Sequence, residues 1–117
     1  MAADPKTWNV RDAESVIVGN EALLNQSHRI VAMTRVRNEA LILPDTLDYL
    51  EKHVDAIVAY DDASTDDTVD LLRSHPKVAL VVANHAWERD IDARKRAEGR
   101  HRGLLLDLAR EQLPHDW

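Results

Sequence analysis

Residues 56–72 read AIVAYDDASTDDTVDLL, and the order of parts within them decides the fold. The apolar run at Ala56–Tyr60 is short and nearly continuous, the pattern of a strand buried on both faces. It ends in two adjacent acids, Asp61 and Asp62. Ser64 or Thr65 then offers a helix N-cap, which would place Asp66 and Asp67 in a first helical turn at the positive end of the helix dipole. Val69 and Leu72 follow on one face, and Pro76 ends the segment. Asp61 and Asp62 lie before the cap. Successive strand side chains alternate between faces, so one of the pair should point into a crevice and the other away.

The same alternation of strand and helix extends both ways. RIVAMT (29–34) is another buried strand, and Pro44 fits the first turn of a helix in which Leu43, Leu47, Leu50 and Val54 share a face. VALVVA (78–83) is a third strand. NHAWERDID (84–92) reads as a loop, and residues 93–113 as a long helix, weakened at Gly99 or Gly103, with Leu104, Leu105, Leu108 and Leu113 buried. The order β-α-β-α-β-α predicts an α/β chain with a parallel three-stranded sheet and flanking helices, half of a doubly wound nucleotide-binding type of fold. Residues 1–28 fit either a helix containing Gly19 or a short strand at Ser15–Val18 followed by a helix.

Composition excludes several functions. At 117 residues the chain suits one small domain. With no cysteine it has no disulfide, thiolate metal site or cysteine nucleophile, and it fits a reducing cytoplasm. No apolar run approaches the ~20 residues of a membrane helix. A net charge of −6 argues against general nucleic-acid binding. The charge is unevenly spread, however: residues 88–102 hold six Lys or Arg against four acids. Such a segment faces an anionic ligand or is a solvated helix face of mixed charge.

In an open parallel sheet, ligands bind outside the carboxyl ends of the strands. Three polar loops lie there: TRVRNE (34–39), DDASTDD (61–67) and NHAWERD (84–90). None has a glycine-rich phosphate loop, so any phosphate must be met by side chains, with Arg35, Arg37, Arg100 and Arg102 as candidates. The six histidines show no close pair at metal-ligand spacing. Trp87 either covers a ligand ring or packs under its loop.

The pairing of RNEA (37–40) with DDASTDDT (61–68), followed by AEGRHRGLLLDLA (97–109), resembles the N-terminal half of family 2 glycosyltransferases with the GT-A fold, over residues 29–117. The resemblance implies a Rossmann-like half-domain that binds the nucleotide-sugar donor. It maps the nucleoside site onto Thr34, Arg35, Asn38, Glu39, Asp61 and Asp62, with Asp62 accepting a hydrogen bond from the base and Glu39 near the ribose. Arg102, and next to it Arg100, would approach the diphosphate. The family uses Mg²⁺ or Mn²⁺ held by a D-x-D motif on the next strand, and a later carboxylate base. Neither is in this chain, so it is expected to hold no catalytic or metal residue and to be inactive in sugar transfer by itself. The alternative is a non-catalytic nucleotide-binding or protein-interaction module. An exposed sheet edge that would let copies pair is expected as well.

Overall fold

The computed structural model describes residues 10–115. Its strands are β1 (Glu14–Val18), β2 (Val31–Val36), β3 (Ala56–Asp62) and β4 (Val78–Asn84). A 3-10 helix spans Glu21–Asn25, and the α-helices are α1 (Leu43–Glu51), α2 (Thr68–Ser74) and α3 (Ile91–Gln112). The three apolar runs all form strands, and β2, β3 and β4 are parallel as expected, but β2 is not buried on both faces: it is an edge strand, half-buried, with Met33 46 % exposed.

The expected three-stranded, wholly parallel sheet is corrected in one respect: among the described residues there are four strands, in the order β1-β4-β3-β2, and β1 runs antiparallel to β4. Of the two readings of residues 1–28, the short strand is the one that forms. Its cause is the state of β4. Val78 to Val82 are fully buried, as befits a central strand, and a central strand needs a hydrogen-bonding neighbour on both sides. β3 supplies one neighbour. The β-branched run Val16–Val18 supplies the other, with Glu14 opposite Asn84 and Val18 opposite Leu80.

Helices cover both faces. Leu43 and Leu47 of α1 and Leu72 of α2 pack with Ile57, Ala59, Val78 and Val81 on one face. Leu104, Leu105 and Leu108 of α3, with Leu23 and Leu24 of the 3-10 helix, pack on Ala56, Val58, Tyr60, Leu80 and Val82 on the other. Full burial of one such leucine is worth about 1.5–3 kcal/mol. Pro44 sits in the first turn of α1 as its missing N–H allows. α3 runs unbroken through Gly99 and Gly103, and all four leucines expected to be buried are buried. The α3 N-cap is Asp90, which accepts from the Asp92 N–H at 3.3 Å.

α2 departs from expectation. It starts at Thr68, so Asp66 and Asp67 precede it and neither Ser64 nor Thr65 caps it. The loop is committed to the neighbouring loop instead. Ala63 turns the chain with a left-handed φ of 58°, and Asn38 has φ 50°. The Asn38 N–H donates to Ser64 Oγ at 2.8 Å, and the Thr65 N–H donates to Asn38 Oδ1 at 2.7 Å. Asp66 accepts from the Thr68 N–H at 3.0 Å and the Ala40 N–H at 3.2 Å, which holds its carboxyl below the usual range through the Thr68 hydroxyl first. Of the four acids, Asp66 is therefore part of a staple between two strand-end loops, together with Ser64 and Thr65.

Candidate functional site

The carboxyl ends of β3 and β4, the start of β1 and the N-terminal half of α3 enclose a cavity of about 400 Å³. Among its walls are Glu14, Arg35, Tyr60, Asp62, Asn84 and His101. Alternation along β3 sorts the adjacent acids. Asp62 follows Val58 and Tyr60 to the α3 face and this cavity, while Asp61 follows Ile57 and Ala59 to the α2 face. There Asp61 accepts from the Ser64 N–H at 3.1 Å and from the Ser64 hydroxyl. Burial raises its affinity for a proton, and the two Ser64 bonds only partly offset this.

Asp62 is 5 % exposed and is held on both oxygens. Arg35 Nη2 donates to Oδ2 at 3.0 Å, and Asn84 Nδ2 donates to Oδ1 at 2.9 Å. Each carboxylate oxygen has a second lone pair, so Asp62 can still accept from a ligand N–H or hydroxyl in the cavity. Arg35 is the hub of the site. Its Nε donates to His101 Nδ1 at 3.1 Å, and its Nη1 lies 3.8 Å from Glu98. One guanidinium thus ties β2 to β3 and α3. His101 is stacked on Tyr60 with ring centroids 3.9 Å apart. Its burial, and then the Arg35 charge, disfavour the imidazolium, so the ring is a neutral acceptor at Nδ1.

A second buried group closes the far wall. Glu14 receives both terminal nitrogens of Arg100 at 2.8 Å, the Arg11 N–H at 2.8 Å and the Tyr60 hydroxyl. Burial works to raise its pKa, but these donors more than offset it and hold the carboxyl at about 2. The Tyr60 hydroxyl is pushed up by burial and by Glu14, and stays protonated.

The candidates from the sequence thus separate. Arg35 and Asp62 meet in the cavity. Arg100 reaches its wall, but its fork is engaged by Glu14. Arg102 is 75 % exposed, pairs with Glu98 at 3.6 Å and lines a separate cavity of about 320 Å³ with Thr34, Met33 and Leu105. Glu39 lines a cavity of about 250 Å³ beside Arg37, Asp62 and Trp87. Asn38 and Asp61 serve the loops. Glu14, Tyr60 and His101 were not singled out by the sequence. The available signal was Tyr60, a hydroxyl inside an apolar strand that needs a buried partner.

Neither acid pair forms a cation site, because Asp61 and Asp62 face opposite ways and Asp66 is held by backbone N–H groups. Among the described residues one acid–histidine cluster has metal-like spacing: Asp48, Glu51 and His75. His75 Nδ1 accepts the Lys77 N–H at 3.1 Å, which leaves a protonated Nε2 toward Glu51 at 3.8 Å. That tautomer offers the acids a donor and no ligand lone pair. These residues do not fit the divalent cation implied by the resemblance.

No protein-family profile matches the chain. It is 50 % identical over 54 residues to an uncharacterized protein of Mycobacterium bovis and, to the same extent, to an uncharacterized protein of Mycobacterium tuberculosis. Each match covers 46 % of this chain and 13 % of the relative's length, so the chain corresponds to a small part of those proteins. No solved structure matches. Among the described residues no helix is long and apolar enough to cross a membrane.

Proposed function

We propose that the chain is the nucleotide-sugar-binding portion of a family 2 glycosyltransferase, with the donor nucleotide seated in the cavity between β3 and α3. The observation that carries this is Asp62. It is a buried carboxylate at the carboxyl end of a central parallel strand, oriented by Arg35 and Asn84 and left with acceptor capacity toward the cavity. A base N–H or a ribose hydroxyl would meet that capacity, and Arg11, Arg94 and Arg96 around the same cavity would face the anionic part of the ligand. Sugar transfer itself would need the divalent cation and the base that the resemblance implies, supplied from outside these residues.

Calorimetric titration with UDP, GDP and dTDP tests the reading. At least one nucleotide should bind, and Asp62→Ala should weaken it by about tenfold or more, the value of a hydrogen bond to a charged group. No binding by any of the three, or equal binding by the variant, would sink it.

One observation favours a second, protein-interaction reading. β2 is an edge strand, with Met33 in it 46 % exposed and Ile30 just before it 55 % exposed. The His28 N–H already donates to the Pro114 carbonyl at 2.8 Å, and His28 forms a parallel bridge with His115, so extended chain can lie along this edge. If copies pair here, sedimentation velocity should show a concentration-dependent dimer that Met33→Lys abolishes. A strict monomer at all concentrations would remove this reading.

A further inference from the structure

Trp87, on the loop between β4 and α3, has two guanidinium groups over its ring, Arg37 at 3.8 Å and Arg94 at 4.6 Å. Among the described residues neither arginine is in an ion pair. Arg94 Nη1 donates only to the Glu88 carbonyl, at 3.1 Å. Arg37 Nε is shut off from solvent with no hydrogen-bond partner. An unpaired buried donor is costly, and here it belongs to a cation.

The indole is also a wall shared by two cavities of about 250 Å³ each, one holding Arg37 and Glu39, the other Arg94 and Lys95. Arg35 lines both but is occupied by Asp62 and Glu98. The groups not so occupied are Arg37, Arg94 and Lys95 against Glu39 alone, in a protein whose net charge is −6. Two unmatched guanidinium forks with an ammonium beside them suit an anion of more than one charge, presented as oxygens that accept in pairs.

We propose that Arg37, Arg94 and Lys95, arranged around Trp87, form a binding site for a diphosphate group. The anion draws the guanidinium groups off the indole, which frees Arg37 Nε to donate and changes the surroundings of the ring. The site adjoins the Asp62 cavity, because Asp62 lines the Arg37 side and Arg94 also lines the larger cavity. A nucleoside diphosphate bound at Asp62 can therefore supply the group, and that refinement rests on the proposed function; the diphosphate site does not. The diphosphate thus falls to Arg37, Arg94 and Lys95 rather than to Arg100 and Arg102, and Arg11 and Arg96 stay at the rim of the larger cavity.

The test uses the full chain with Trp8→Phe and Trp117→Phe, which leaves Trp87 as the one tryptophan. Its emission is followed on titration with sodium pyrophosphate, and separately with UDP, GDP and dTDP, at constant ionic strength. A saturable change is expected with pyrophosphate. Arg37→Gln and Arg94→Gln should each weaken it by about tenfold, while Arg102→Gln should leave it unchanged. Arg37→Lys keeps the charge but loses the fork, so it should fall between, and it decides the matter if Arg37→Gln does not fold. Tighter binding of UDP, GDP or dTDP, with the excess removed by Asp62→Ala, assigns the diphosphate to a nucleotide. Affinities for UDP, GDP and dTDP that all equal that for pyrophosphate assign it to the free anion, in which case the site stands while the nucleotide reading fails. No saturable response to any of these probes, or an unaltered response in both arginine variants, overturns the proposal.

Discussion

Alanine at position 14 should destabilise the protein by about 3 kcal/mol or more, the range measured when one partner of a buried ion pair is removed. Glu14 is 1 % exposed at its side chain and Arg100 25 %, so water already reaches part of the guanidinium that loses Glu14 and the lower part of that range applies. The Tyr60 hydroxyl loses its acceptor at the same time. Urea unfolding measures the effect, and a loss below about 1 kcal/mol, the size of an exposed pair, would refute the account. Acid gives a second readout. A carboxyl held at about 2 when folded, against an ordinary 4.5, stabilises fully above 4.5, and that contribution is lost as pH falls toward 2. Asp55 and Asp66, also lowered, act in the same direction; Asp61, raised by burial, opposes them. The gap in stability between the wild type and Glu14→Gln should therefore close through that window.

Gly19→Ala should cost about 3 kcal/mol, at the upper end for overpacking. A Cβ there would lie 2.3 Å from the Val78 carbonyl oxygen and 3.2 Å from its carbon. The obstacle is backbone, and that same oxygen accepts the Asn20 N–H at 2.8 Å. Relief would pull β1 away from β4 and loosen the Glu14 contacts at its other end. Gly99→Ala and Gly103→Ala meet nothing within 4 Å, and each should gain about 0.5–1 kcal/mol as helix-interior glycines replaced by alanine. Thermal unfolding of the three variants separates the cases. A Gly19→Ala protein as stable as the wild type would mean that β1 does not sit where it is described.

The parallel core was legible because its signals are local. Continuous apolar runs, a proline at a helix start and leucines at helical spacing each specify an element within a dozen residues. The separation of Asp61 from Asp62 was legible for the same reason, since alternation along a strand is a local rule. β1 was harder. ESVIV is five residues long, and what makes it a strand is the need of β4 for a second neighbour some sixty positions away. The network of Glu14, Tyr60, Arg100 and His101 shares that difficulty, as each member is unremarkable among its sequence neighbours. The α2 cap misled because Ser64 and Asp66 had a better use in binding the Asn38 loop than in starting a helix.

The attachment of β1 also sets an order of assembly. β2, β3 and β4 can close by short crossovers, each through one helix, whereas β1 has nothing to pair with until β4 is in place. Its ion pair spans 86 positions, to a residue on the last helix. Contacts so distant in sequence must meet their loop-closure entropy before they return any stability, which makes them late and slow to form. On the ribosome β1 would therefore wait, unpaired and apolar, until β4 and then α3 have followed. Of the four described strands, the one made before the others is the one that settles last.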